Sequence, residues 1–447
     1  MRRRSFLLAA ATAPGFAVAG SRIALAQVEA GDGPYGPLAS SPDANGILLP
    51  DGFSSRVLAT SGETVAGTGY VWPVFPDGGV VFPGDNGGWI YVSNSEAGEG
   101  TSGVSALVFD ASGSVVDAYS IATGTTRNCA GGPTPWGTWL SGEEYESGVI
   151  VECDPTGAAE AIRHPAMGVF IHEAACVDPE REVVYLTEDA PDGRFYRFTP
   201  DNYPDLSAGL LEAAQIDDAG NVTWLTVPDP IATANKTRLQ VPESTVFNGG
   251  EGIWYRDGIV WFVTKGDGGV WKLDAAAQTI EAVYKAAEGE VVLNGPDNIV
   301  LSEFGDVFVC EDFGEDQQVV LITPDGVIAP VLQLTGQSGS ELAGAAFDSS
   351  GTRMYVSSQR GGTGGGITYE ITGPFRQPVA PTTTSATTVS ETTKAIAATT
   401  AAGGSASDDG DDGAPIVPIG IGAALVAALG FGAYRLRTRP VSRPPLE

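Results

Sequence analysis

Asp306-Val307-Phe308-Val309-Cys310, followed by Glu311, is a short run of β-branched and aromatic residues that stops at a carboxylate. Such a run reads as a buried strand. Five more runs have the same character: Trp89–Ser93, Gly137–Ser141, Val183–Thr187, Val260–Thr264 and Arg353–Ser357. In chain order the six end at or near Glu96, Glu144, Glu188, Lys265, Glu311 and Gln359, with gaps of 48, 44, 77, 46 and 48 residues. A period near 46 suits a propeller blade, because each blade needs four short strands. Asp110-Ala-Ser-Gly113, Asp154-Pro-Thr-Gly157, Asp325-Gly326 and Asp348-Ser-Ser-Gly351 supply the turns. The one long gap predicts a helical or loop insertion around Asn202–Gln240. The expected fold is therefore all-β, a six-bladed β-propeller with loop or helical insertions. A pair of β-sandwiches is the alternative, since turn spacing alone fits both.

The repeat also places carboxylates. Glu173 precedes Glu188 by 15 residues, Glu251 precedes Lys265 by 14, Asp297 precedes Glu311 by 14 and Glu341 precedes Gln359 by 18. Equivalent positions in successive blades surround one axis, so residues distant in sequence can converge at one mouth of the channel. The candidate set is Glu96, Glu144, Glu173, Glu188, Glu251, Asp297, Glu311 and Glu341, with Cys129 and His172 close by in sequence. An exposed Glu is ordinary by itself, but a converging set must either spread out or hold cations. Oxygen ligands suit calcium or magnesium. A thiolate from Cys129 would recruit a softer ion such as iron, and a buried small hydrophobe is the other reading of that cysteine. Cys310 alternates with Glu311 and so is expected in the core.

Both ends lie outside the predicted propeller. Residues 1–26 carry Arg3-Arg4-Ser5-Phe6-Leu7, an apolar stretch, Arg22 and Ala24-Leu25-Ala26, which reads as a twin-arginine signal rather than an ordinary export signal. Residues 374–413 form a Thr-, Ala- and Pro-rich stalk; its Asp408, Asp409, Asp411 and Asp412 read as a solvated spacer rather than a calcium loop. Residues 414–434 are 21 largely apolar residues without charge, enough to span a bilayer. Arg435, Arg437, Arg439 and Arg443 in the tail, 435–447, put the C-terminus in the cytoplasm. The expected protein is an exported ectodomain, 27–373, on a C-terminal membrane anchor.

The full chain has 447 residues and a formal net charge of −31. Within 27–373, 49 acidic residues face 14 basic ones. That excess disfavours nucleic acid as a partner, because phosphate backbones need clustered Lys and Arg. It favours bound cations, which would relieve self-repulsion. With only His164 and His172 in the chain, a His-rich zinc centre is excluded. No G-x-S-x-G elbow accompanies His172-Glu173, so a serine-hydrolase triad is not expected. Cys129, Cys153, Cys176 and Cys310 form no C-x-x-C pair, and leave one or two disulfides open in an oxidising compartment.

At Asn128–Glu144 (NCAGGPTPWGTWLSGEE), His172–Asp178 (HEAACVD), Gly250–Tyr255 (GEGIWY) with Phe262–Trp271, and Pro296–Ile299 (PDNI) with Cys310-Glu311-Asp312, the sequence resembles the PhoX family of secreted, metal-dependent alkaline phosphatases. Weaker likeness at Pro34–Leu38, Asp43–Phe53 and Glu341–Phe347 extends it over most of Pro34–Phe375. The resemblance implies a six-bladed propeller with calcium and ferric iron in an axial site. It implies hydrolysis of small phosphate esters with broad specificity. Cys129 would be an iron ligand, and Glu144, Glu173, Glu251 and Glu311 metal ligands, with Glu251 and Glu311 as the catalytic carboxylates. The chain departs from the family at Gly249, where an Arg is expected two residues before Glu251; Lys265 is a candidate substitute.

The leading expectation is a monomeric, surface-anchored phosphomonoesterase. A calcium-dependent lactonase-like propeller using Glu251, Asp297 and Asn298, and a non-enzymatic propeller stapled by cations, are the alternatives. Surface protease is expected to cut within 374–413 and release a soluble ectodomain; recovery of that ectodomain from the cytoplasm would contradict the topology.

Overall fold

A computed structural model describes residues 28–286, 292–312 and 314–378. The signal, the stretch 414–434 and the basic tail lie outside the described residues, as does most of the stalk. Among the described residues no helix is long and apolar enough to cross a membrane.

The six predicted runs are the second strands of six sheets, antiparallel except where Glu29–Ala30 pairs parallel to the last strand of the fifth. The first sheet runs Pro76–Pro83, Trp89–Ser95, Ser102–Phe109, Val115–Thr125, and the second Asn128–Pro133, Trp139–Glu143, Ile150–Cys153, Ile162–His164. The third is His172–Asp178, Val183–Glu188, Phe195–Asn202 and Asp205–Ile216, with Val222–Thr226 as a fifth strand. The fourth is Gly250–Arg256, Ile259–Thr264, Gly269–Asp274, Thr279–Lys285, and the fifth Pro296–Leu301, Val307–Glu311, Gln318–Ile322, Val327–Leu334. The sixth takes Leu342–Phe347, Arg353–Ser358 and Ile367–Thr372 from the end of the chain, and Ser54–Thr60 from its beginning. This is the six-bladed propeller, not a sandwich pair. The predicted insertion is present as a loop with one 3-10 turn at Thr237–Leu239 and a fifth strand of the third blade; its helical alternative is corrected, since no α-helix occurs among the described residues.

The local reasons are those of the sequence. Asp110, Asp154 and Asp348 close their turns through backbone bonds from Gly113, Gly157 and Gly351 at 2.9, 2.9 and 3.0 Å. Each strand turns apolar residues toward the neighbouring blade. Phe195 of the third blade stacks on Phe262 of the fourth, with centroids 4.4 Å apart. Cys153, Cys176 and Cys310 are buried in these layers, and all four cysteines are unpaired.

The ring closes where its two ends share the sixth blade. Buried Glu370 receives Arg56 at 2.8 Å and Arg353 at 3.0 Å. Trp72 Nε1 donates to Thr368 Oγ1 at 3.1 Å. The packed unit continues past Gly373. Phe375 lies edge-on to Tyr35, Phe53 and Phe347, and Arg376 pairs with Asp306 and covers the ring of Phe304 at 4.1 Å. Ending the chain after Gly373 is expected to cost about 3–5 kcal/mol of stability, the range for removing a buried Phe. Denaturant midpoints of chains ending after Gly373 and after Pro378 measure it; equal midpoints would contradict the packing.

Candidate metal centre

Every innermost strand carries a β-bulge at its start, where two residues oppose one on the second strand. A bulge bends the strand and re-aims a side chain. In the first five blades the first bulge residue is Asp77, Cys129, Glu173, Glu251 or Asp297. In the sixth the bulge falls one residue later and begins with Gly344. Adjacent inner strands approach closely: a Cβ on Gly252 would sit 2.8 Å from the Asp297 carbonyl oxygen. Neighbouring bulges are therefore drawn together.

A second ring lies just past the ends of the second strands. Its members are Glu96, Glu144, Asp189, Lys265, Asp312 and Gln359. Their backbone N–H groups donate to the carbonyls of Phe75, Arg127, Ile171, Gly249, Gly295 and Glu341 at 2.8–3.1 Å. The two rings and Glu341 compose four groups whose ligand atoms lie within 4.8 Å of one another: Cys129–Glu144–Glu173, Glu173–Glu251–Asp297, Asp297–Asp312–Glu341 and Asp77–Glu96–Glu341. Successive groups share Glu173, Asp297 and Glu341, so they form one connected array.

Seven of the candidates read from the sequence are thus brought together: Cys129, Glu96, Glu144, Glu173, Glu251, Asp297 and Glu341. Glu188 and Glu311 are not, and both require correction. Each pairs in register with the first residue of its inner strand, one position before the ring. Side chains alternate along a strand, so a slip of one residue turns a group to the other face. Glu188 instead accepts hydrogen bonds from Tyr196 at 2.7 Å, Arg238 at 2.9 Å and the Arg194 backbone at 3.2 Å. Burial lifts its pKa to about 7 against these donors. Glu311 accepts from the backbone N–H groups of Asn294 at 2.7 Å and Gln318 at 2.9 Å, tying its loop together, and burial lifts its pKa to about 7 as well. The ring residues are Asp189 and Asp312, one position on. Asp77 was also missed, although it stands 19 residues before Glu96, close to the spacing of Glu341 and Gln359. His172 is buried, stacked on Phe170 at 3.6 Å, and held neutral by a pKa pushed down to about 3 by burial.

The electrostatics follow from crowding. Burial, then neighbouring carboxylates, raise Glu173 and Glu341 well above the usual carboxylate range. Glu144 is pushed up to about 9 by burial, then by Glu96 and Asp189. The Cys129 thiol is raised by burial, then by Asp77, whose Oδ2 lies 3.5 Å from Sγ. Two basic side chains answer. Lys265 Nζ sits 3.1 Å from Glu251, 3.0 Å from Asp297 and 3.1 Å from Asp312. Burial alone would lower its pKa, but Asp297, Glu251 and Asp312 hold it far above the ordinary value. Arg360 reaches Glu341 at 2.5 Å and Glu96 at 3.6 Å. Among the described residues, only Cys129–Glu144–Glu173 has no basic partner. Both oxygens of fully buried Glu173 lack any hydrogen-bond donor. A buried polar atom without a partner is costly and calls for a ligand. A thiol with two carboxylates suits a transition metal, and the oxygen-only groups suit calcium.

The alkaline phosphatase PhoX family matches residues 102–150 and 146–362 of the chain. Among solved structures, Pseudomonas fluorescens PhoX in complex with vanadate, a transition state analogue, is similar at 17% identity. The match covers 75% of this chain and 97% of that one, with a TM-score of 0.60. A gluconolactonase of Xanthomonas campestris, XC5397, aligns at 13% identity over 76% of this chain and 99% of that one, with a TM-score of 0.45. No curated protein matches. The structural likenesses carry the fold alone, whereas the family match spans more than half of the sequence. By that match the chain belongs to the alkaline phosphatase PhoX family.

Proposed function

We propose that the protein is a metal-dependent phosphomonoesterase held on the outer face of the cell membrane. The observation that supports this most strongly is Glu173, a buried carboxylate with both oxygens unpartnered, shared between a thiol-containing group and an oxygen-only group. Cys129, Glu144 and Glu173 would hold iron, and oxygen-only groups along the same axis calcium. A calcium-only lactonase-like centre has no use for the Cys129 sulfur. Bound cations would neutralise phosphate oxygens and stabilise the charge that develops as the ester bond breaks. The chain's own part is to fix those positions by paired bulges and to keep water from the buried carboxylates.

Substrate access is proposed through the cavity of about 610 Å³ lined by Thr126, Arg127, Glu144, Tyr145 and Asp189. Lys265 is a poor phosphate clamp, because the three carboxylates around it repel an anion. Arg127 fits the role better. It is exposed, without an ion pair among the described residues, and stands in the second blade where Gly249 stands in the fourth. That position is left-handed in four blades: φ is +53° at Phe75, +46° at Arg127, +67° at Gly249 and +56° at Gly295. Glycine relieves the strain in two of them. Phe75 and Arg127 keep the strain, and of the two Arg127 lines the cavity. A guanidinium here can grip phosphate in bidentate fashion.

Purified protein is expected to show a visible sulfur-to-iron charge-transfer band that Cys129→Ser abolishes, and phosphomonoesterase activity that chelation removes and vanadate inhibits. A colourless protein without phosphate release would contradict the reading. Arg127→Ala is expected to raise KM by about 10-fold or more, the loss of one charged hydrogen bond, with the melting temperature unchanged. An unaltered KM would remove Arg127 from the site.

A further inference from the structure

Lys265 interrupts a pattern. Of the six residues that follow the second strands, Glu96, Glu144, Asp189 and Asp312 are acids, whereas the fourth and sixth blades supply Lys265 and Gln359. Both exceptions face carboxylates. Gln359 Nε2 donates to Asp77 Oδ2 at 2.5 Å and to Glu96 Oε2 at 3.1 Å. Lys265 Nζ is surrounded by oxygens of Glu251, Asp297 and Asp312 from two blades, at 3.0–3.1 Å. Three carboxylate oxygens converging on one point are a partial calcium shell, which waters complete to six or eight ligands.

Two further details suit a cation site rather than an ordinary salt bridge. Glu251 Oε1 is buried, lies 3.1 Å from Nζ and accepts no hydrogen bond of regular geometry. Glu251 and Asp297 also belong to the group that includes Glu173, whose two oxygens are buried without partners. The carboxylates are thus arranged around a point charge, and the ammonium on its flexible stem fills that point.

We propose that Lys265 is a tethered cation that occupies a calcium position between Glu251, Asp297 and Asp312, so that this chain binds one metal ion fewer than its carboxylate array could hold. The inference rests on the reading of this array as a metal centre. A monovalent ammonium neutralises less charge than Ca²⁺, but it cannot dissociate or be chelated. It keeps this side of the axis compact while the ions at the other groups come and go. The three oxygens stand 3.0–3.1 Å from Nζ, against about 2.3–2.6 Å for calcium, so they would have to close in once the ammonium is gone.

Calcium chloride titration of the full chain, followed by calorimetry and elemental analysis, tests this. Lys265→Met, which keeps the apolar stem and removes the charge, is expected to bind one more calcium per chain than the natural protein. Lys265→Arg, which keeps a charge there, is expected to gain none. In calcium-free buffer Lys265→Met should melt below the natural protein, and calcium should raise its melting temperature by more. Natural protein and Lys265→Met binding the same number of calcium ions, at least one each, would overturn the role of Lys265 and leave the metal centre standing. No calcium uptake by any of the three proteins would overturn both.

Discussion

Buried carboxylates repel one another across the channel axis, and the rest of the structure is arranged to hold them there. Two unit charges about 5 Å apart repel by roughly 3–4 kcal/mol even at an effective dielectric of about 20. Eight carboxylates and a thiol share four overlapping groups here, each with ligand atoms within 4.8 Å. No propeller would tolerate that sum without protons or cations. Lys265 and Arg360 answer part of it, and neither touches Cys129, Glu144 or Glu173. The uncompensated part of the axis is therefore the part that contains sulfur.

Each level of the fold supports this convergence. The ring is closed by Ser54–Thr60 in the last blade, which keeps the inner strands of all six blades around one axis. The bulges turn Asp77, Cys129, Glu173, Glu251 and Asp297 to that axis. The loop inserted in the third blade sends Arg238 back to Glu188, Asp192 and Glu146, stiffening the wall next to Glu144. Preorganised negative charge of this kind binds cations without rearrangement.

The blade count was legible because a buried strand must be apolar and a blade must have four strands; both leave a period in the sequence. Glu144, Glu173, Glu251, Asp297, Glu96 and Glu341 were legible for the same reason, whereas Cys129 leaves no such period and was singled out by its place beside them in sequence and by the family resemblance. Glu188 and Glu311 misled because the sequence offers two adjacent acids, Glu188-Asp189 and Glu311-Asp312, and only strand register decides which of them faces the axis. Register is set by the bulges, and a bulge has no residue signature strong enough to locate it. Asp77 was hidden because its strand, Pro76–Pro83, opens with Pro-Asp-Gly-Gly, which reads as a turn. The insertion around Asn202–Gln240 was read as helix or loop because its length was visible, whereas the pairing of Val222–Thr226 with Asp205–Ile216 depends on contacts distant in sequence.

X-ray diffraction from crystals of the native protein, measured across the iron and calcium absorption edges, tests the central claim most directly. The account predicts an iron signal within bonding distance of Cys129 Sγ and oxygens of Glu144 and Glu173, with calcium at oxygen-only groups along the same axis. A folded propeller with no anomalous signal among these side chains would show that protons, not cations, hold the carboxylates together, and would contradict it.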